Sequence, residues 1–278
     1  MEPFQFQTDA SVPFFTVAPW EREFSHVVAG MSARDSESLK IPNSCNYALH
    51  VGENPQNAIA DRQQLMETLQ LPFAAWTCAE QVHGVHIQEV KAGDRGRGRE
   101  SRQSALAETD GLITREPDIL LASFYADCVP LLFYSPDIDA VGVAHAGWRG
   151  TVGKIGPLMV CQLVRMGAER DRIRAAIAPS IGGCCYEVDE RVAAPVREVL
   201  RDQADMVLKP ATLGKWMLDL REVNRRLLLA EGLQKENVAV TGWCTSCHPE
   251  YFHSHRRDRR RTGRMVAFIG IRKGERLG

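Results

Sequence analysis

The sequence has 278 residues, 44% of them apolar and 25% charged, with a formal net charge of −1. This is the composition of a soluble globular chain with ample core, and the charge excludes a general electrostatic pull toward nucleic acid or anionic membrane. Eight cysteines in a chain this long are not a secreted disulfide framework, and no apolar run approaches bilayer-spanning length.

The N-terminal MEPFQFQTDASVPFFTV carries no basic region followed by an apolar one, so a cytoplasmic protein with reduced thiols is expected. Residues 1–50 read as short strands and turns, with Phe14, Phe15 and Phe24 as apolar contacts and 43–47 as a turn. Asn54-Pro55 reads as an N-cap with proline at the first helical position. The helix over 56–70 turns Ile59, Leu65, Met66 and Leu69 inward, and Leu71-Pro72 ends it. Residues 73–78 and 82–90 are predicted strands. Residues 91–104, KAGDRGRGRESRQS, have no periodicity and read as a mobile loop with solvated arginines.

Residues 120–151, LLASFYADCVPLLFYSPDIDAVGVAHAGWRGT, hold two apolar runs that read as buried strands. Pro130 removes a ladder donor, so the first must break or lie at an edge where Cys128 sits. The second ends at His145, followed at once by Gly147-Trp148-Arg149-Gly150. A helix is predicted over 152–166, a strand over 173–178, and helices over 189–202 and 218–231, the last with Gly232 as its C′ residue. Strands over 237–241 and 264–271 close the chain. Elements intermix without a strict βαβ repeat and without a dividing linker, so an α/β (α+β) fold in a single domain, 1–278, is expected.

The candidate chemistry lies in His83, Cys128 and His145, all at strand ends beside Gly, Pro or Asp. Two imidazoles and a thiolate form an accepted three-ligand catalytic zinc set, and they suit zinc or copper better than magnesium or calcium. The plain alternative is two satisfied core histidines and a buried cysteine. His86 faces away from His83 on a strand and is not expected to share an ion with it. The turn at 147–151 combines free helix-start amides with Arg149, whose planar fork suits phosphate; a structural glycine turn with a surface arginine is its plain alternative.

Cys244-Thr-Ser-Cys247-His248 matches a haem-attachment pattern, which is set aside because no export signal is present. Cys184-Cys185 could add two ligands for a structural zinc. Adjacent cysteines make poor tetrahedral partners, so buried thiols near a turn are expected there. The basic run 255–264 reads as an internal turn that either lines a pocket for an anion or is simply solvated, not as a nucleic-acid arm.

Gln-Val-His-Gly at 81–84, Ala-Asp-Cys-Val-Pro at 126–130 and Ala-His-Ala-Gly-Trp-Arg-Gly at 144–150 together resemble the signature of the laccase-domain proteins. These were once called polyphenol oxidases and are now regarded as purine nucleoside phosphorylases. Leu-His-Val-Gly at 49–52 with Arg62, Pro-Ser-Ile-Gly at 179–182 and Arg-Arg-Asp…Thr-Gly-Arg at 256–264 extend the likeness over about residues 40–270. The resemblance implies a four-layer α/β/β/α sandwich with mixed β-sheets and one catalytic zinc on His83, Cys128 and His145. It implies phosphorolysis of adenosine, inosine, guanosine or methylthioadenosine with some adenosine deamination, and it places Asn46, Arg62 and Arg149 near the substrate pocket. Tyr125 departs from the family's usual threonine, and Ala29-Gly30-Met31-Ser32 from its usual Gly-Gly-Val-Ser.

Two other activities compete with this one. Cys128 could be the nucleophile of a metal-free hydrolase or amidase acting on peptidoglycan precursors, with His145 or His83 as base. A copper-dependent polyphenol oxidase ranks last, because eight histidines with one His-x-His, at 253–255, are too few for a multicopper centre. The expected partners are a purine nucleoside and phosphate, with no nucleic acid and no membrane; the oligomeric state is open.

Overall fold

The computed structural model describes residues 1–8, 10–34, 45–52, 54–259 and 262–273. Asn43 and Ser44 of the expected turn, and Arg260 and Arg261 of the basic run, lie outside the described residues.

The alternation of apolar side chains along the long strands dictates the architecture. In β7 (Leu120–Tyr125), Leu120 and Ala122 pack one way and Leu121 and Tyr125 the other. In β8 (Val129–Ser135), Leu131 and Phe133 part from Leu132 and Tyr134 in the same manner. Successive side chains on a strand point to opposite faces, so a strand apolar at every position must be covered on both sides. Each fully buried side chain of this size contributes about 1.5–3 kcal/mol.

The first sheet runs in the order β1 (Phe4–Phe6), β2 (Phe14–Val17), β3 (Val27–Ser32), β15 (Met265–Ile271), β7 and β4 (Trp76–Cys78). The second runs β14 (Val238–Val240), β10 (Arg174–Ile177), β8, β9 (Ala140–Ala146), β6 (Gly111–Thr114) and β5 (Ile87–Glu89). Both mix parallel and antiparallel pairs. Their facing sides share a core that includes Phe15, Met31, Leu121, Leu132 and Val143.

Helix α2 (Pro55–Thr68) covers the outside of the first sheet, setting Leu65 and Met66 against Trp76, Leu120 and Phe268. The outside of the second is covered by α4 (Ile155–Arg165), α5 (Glu190–Leu200) and α6 (Leu220–Ala230). The result is the expected α/β/β/α sandwich, completed by the small sheet β11 (Glu187–Asp189), β13 (Lys215–Leu218) and β12 (Leu208–Pro210) and by the short helices α1 (Ala18–Glu23) and α3 (Trp148–Val152).

Asn54 caps α2 as predicted, its Oδ1 accepting the Gln56 amide at 2.9 Å, and Gly232 follows α6 at φ +99°. The run at 120–135 does break. β7 and β8 belong to different sheets, and residues 126–128 carry the chain across between them. Pro130 nevertheless sits in a central strand, paired with His145 on one side and accepting the Ala178 amide at 3.0 Å on the other, where the regular β10 pairing ends at Leu131.

Four expectations are corrected. The strand over 82–90 shrinks to β5, because the amides of 82–84 bond a carboxylate instead of a neighbouring strand. The strand over 73–78 begins as a 3₁₀ turn, Phe73–Ala75. The single helix over 152–166 is two, α3 and α4, broken where Lys154 takes φ +62°. Residues 91–104 are not a loose loop. Arg62 Nη1 donates to the carbonyls of Gly98 and Arg99 at 2.9 and 2.7 Å. Gly98 takes φ +76° against Cys78 Sγ, where a Cβ would stand 2.6 Å from the sulfur.

Candidate active site

Two bends and a strand end deliver the three candidate ligands to one point. His83 lies before β5, Cys128 in the crossover between β7 and β8, and His145 near the end of β9. One nitrogen from each histidine and the Cys128 sulfur all lie within 4.8 Å of one another. The two rings meet edge to face with centroids 4.7 Å apart. His145 is buried, Cys128 half-buried and His83 exposed, so the cluster is open to solvent at His83. Gly147 makes room for it, since a Cβ there would press on Cys128 Sγ and the His83 ring, each at 3.2 Å.

A residue absent from the sequence reading holds the cluster together. The buried Asp110 accepts His145 Nδ1 at 2.8 Å. The same oxygen accepts the His83 amide at 3.0 Å, and the other accepts the amides of Val82 and Gly84 at 3.1 and 2.7 Å. His83 sits at φ +62°, a conformation that costs a non-glycine residue of order 1 kcal/mol and that these amide bonds hold in place. Because the carboxylate can only accept, His145 must carry a proton on Nδ1 and turn Nε2 toward Cys128 and His83. The only sequence signal was Thr109-Asp110-Gly111, a turn-like triplet before β6.

Burial works against ionisation of Asp110, yet His145 and the Gly84 and Val82 amides pull its carboxyl below the usual range. Burial likewise pushes the Cys128 thiol up, but the adjacent His145, and then His83, bring it down to about 6. His145 is pushed down by burial and lifted further by Cys128 and Asp110, to about 9. At neutral pH the pair is a thiolate beside an imidazolium, ready to exchange that proton for a metal. Two imidazoles and one thiolate fit zinc or copper and leave a position open for water or substrate.

From residue 28 to residue 272 the sequence matches the family described as multi-copper polyphenol oxidoreductase laccase. The chain belongs to this family. It is 43% identical over 252 residues to a protein of Geobacillus stearothermophilus named purine nucleoside phosphorylase YlmD, covering 90% of this chain and 92% of the relative. It is 33% identical to one from an unknown prokaryotic organism named adenosine deaminase RL5, covering 82% and 86%. The crystal structure of YlmD from Geobacillus stearothermophilus superposes with a TM-score of 0.90 at 39% identity, over 98% of this chain and 100% of that one. Membership of the laccase-like family implies a metal, and His83, Cys128 and His145 offer it three donors.

In this laccase-like chain the cluster forms the floor of a cleft of about 550 Å³. Arg149 stands on its wall, exposed and stacked on Trp148 at 4.7 Å. Arg191, Arg256 and Arg264 add positive charge to the same cleft, and His50 and Tyr186 also line it. The basic run therefore contributes in part. His255, Arg256 and Arg264 face the cleft, whereas Arg257 is held by Asp258 and by the carbonyls of Thr245 and Phe252.

Asn46 and Arg62 do not line the cleft. Asn46 is buried and spends its amide on the carbonyls of Ala48 and Val51 and on the amides of Ala48 and Arg264. Arg62 lies behind Phe124, which does line the cleft, and bonds the carbonyls of Tyr47, Gly98 and Arg99. His86 bonds Thr109 and stays out of the cluster. Tyr125 is buried, its ring 5.4 Å from that of His145 and its hydroxyl on the Ala144 carbonyl. It packs edge to face against this candidate ligand.

The buried-thiol expectation for the other cysteines is corrected. Cys184 and Cys247 are exposed, Cys185 is half-buried, and all three converge with buried Cys244. No helix among the described residues is long and apolar enough to cross a membrane.

Proposed function

We propose that this chain is a zinc-dependent purine nucleoside phosphorylase acting on adenosine, inosine, guanosine and methylthioadenosine, with accompanying adenosine deaminase activity, and that it works as a single domain in the cytoplasm. The observation that carries the reading is the open three-donor cluster, locked by Asp110, at the floor of a cleft lined by arginines. The relatives named purine nucleoside phosphorylase and adenosine deaminase support it.

In phosphorolysis a phosphate oxygen attacks C1′, the C1′–N bond breaks, and the purine leaves with a proton, giving free base and ribose 1-phosphate. Arg149, stacked on Trp148 and in no ion pair among the described residues, holds the phosphate, with Arg191 lining the same cleft. Asp110 keeps His145 in one tautomer and orientation throughout. Zinc held by His83, Cys128 and His145 would supply a Lewis acid and bring the pKa of bound water toward neutrality, the condition for replacing the purine amino group by oxygen. The same donor set would accept copper, but neither metal-sized cluster among the described residues offers the paired histidines of a multicopper centre.

One observation favours a second reading. Cys128, His145 and Asp110 are placed as nucleophile, base and orienting carboxylate, which is the constellation of a cysteine hydrolase or amidase. His83 has no part in such a triad, and a third donor is what a metal requires.

The deciding experiment incubates inosine and adenosine with enzyme, with and without phosphate. The proposed function requires free base and ribose 1-phosphate only when phosphate is present. Free ribose at a phosphate-independent rate, or no purine chemistry from fully zinc-loaded protein, would overturn it.

A further inference from the structure

Cys184 and Cys185 sit in the turn after Ile181-Gly182, and Cys244 and Cys247 in the turn after Trp243. A parallel bridge between Ser180 and Cys244 lays the two segments side by side. The four sulfurs all lie within 4.8 Å of one another, with Cys247 Sγ 3.6 Å from Cys184 Sγ and 3.4 Å from Cys185 Sγ. A zinc–sulfur bond of about 2.3 Å sets the edge of a tetrathiolate tetrahedron at about 3.8 Å. The spacing is that of ligands around one ion, and all four cysteines are free.

We propose that Cys184, Cys185, Cys244 and Cys247 form a second, structural zinc site, separate from the cluster in the cleft. Adjacent cysteines are poor partners on a strand because their side chains diverge. In a turn they need not, and Tyr186 N and Cys185 N both return to the Gly182 carbonyl, closing the turn that carries this pair. The other pair has the two-residue spacing common in structural zinc sites, and Cys247 N donates to the Cys244 carbonyl to close its turn.

The surroundings suit four thiolates. Gly182 N donates to Cys244 Sγ at 3.2 Å. A Cβ on Gly182 would meet Cys184 Sγ at 3.2 Å and Cys244 Cβ at 3.3 Å, so glycine is what lets the segments close. Four thiolates on one zinc leave a charge of −2. The Arg221 guanidinium lies beside Gly182, and Arg256 Nη1 binds the Glu187 carbonyl and touches that of Cys185.

Such an ion would clasp the back of the cleft. Ile181 and Tyr186, which line it, flank Cys184 and Cys185 in sequence. Thr245, between the other two cysteines, donates its hydroxyl to Asp127 Oδ1 at 2.7 Å. Asp127 is the neighbour of Cys128 and stands at φ +90°. The role is positional, since no sulfur of the four lines the cleft.

The test is metal content and spectroscopy on the full chain purified under reducing conditions. The wild type should hold two zinc ions per chain, Cys128→Ser one, and the double variant Cys184→Ser/Cys247→Ser one. Cobalt-loaded protein should show the intense sulfur-to-metal charge-transfer band of a tetrathiolate, kept in Cys128→Ser and lost in the double variant. If the double variant does not fold, cadmium NMR of the wild type decides, because a four-sulfur site gives a resonance far downfield of a one-sulfur, two-nitrogen site. Metal content unchanged in the Cys184→Ser/Cys247→Ser variant, no cadmium resonance in the four-sulfur range, or a disulfide within the four under reducing purification would each overturn the proposal. All three readings are independent of whether the cleft cleaves nucleosides.

Discussion

Asp110 and His145 are joined twice: the carboxylate takes the imidazole Nδ1 at 2.8 Å, and the Asp110 carbonyl takes the His145 amide at 2.7 Å. The side chain of one strand end and the backbone of its neighbour therefore set the direction in which Nε2 points. His83 hangs from the same carboxylate through its own amide. Two of the three candidate ligands are thus placed by a residue that is not itself in the ligand set.

Asp110→Asn tests this placement. The carboxylate faces four donors, and an amide nitrogen in its place sets a donor against a donor. Loss of such a partner typically costs 10–100-fold in metal affinity. Zinc competition with a chromogenic chelator should show a loss in that range, with kcat falling alongside. Unchanged affinity would mean that the histidines hold their positions without Asp110.

Metal uptake should follow pH in two regimes. Between about 6, where the Cys128 thiol titrates, and about 9, where His145 does, the pair carries one proton, and it sits on His145. Zinc must displace it, so the contribution of this pair weakens affinity about tenfold for each unit of falling pH. Below about 6 the thiol is protonated too, and the slope steepens to about a hundredfold per unit. Calorimetry in buffers of different ionisation enthalpy counts the released protons. Cys128→Ala should flatten the steep limb and abolish tight binding, because the site loses its only thiolate.

Arg149→Ala should raise the KM for phosphate by about tenfold, the scale of a lost charge-assisted hydrogen bond, while zinc content stays unchanged. Steady-state kinetics with phosphate as the varied substrate gives the answer. No change in that KM would move the anion site to Arg191 or Arg256 on the same cleft.

Arg62→Lys separates support from substrate contact. A lysine cannot span the Tyr47, Gly98 and Arg99 carbonyls with a planar fork, so buried acceptors are left unpaired. The expected cost is about 3 kcal/mol, seen as a drop of several degrees in thermal midpoint. At temperatures where the variant is folded, the nucleoside KM should stay within about twofold of wild type, less than 0.5 kcal/mol. A large KM effect with an unchanged midpoint would make Arg62 a substrate residue.

The sequence by itself determined what local pattern can express. The every-position apolar strands demanded cover on both faces, Asn54-Pro55 opened α2, and Gly232 closed α6. His83, Cys128 and His145 stood out because each lies where a strand stops beside a turn-forming residue. Only the tertiary structure decided that 120–135 crosses from one sheet to the other at Cys128, and that the amides of 82–84 go to Asp110 rather than to a strand. It alone showed that Arg62 and Asn46 spend their side chains on backbone carbonyls. The cysteine pairs show the reason most clearly. The strand rule sends Cys184 and Cys185 apart, but a turn replaces the strand, and a bridge between residues 180 and 244 brings a distant pair of thiols alongside. Periodicity reports which side of an element a residue faces; convergence of side chains from far-apart segments depends on how the elements pack, and that is settled by the folded chain as a whole.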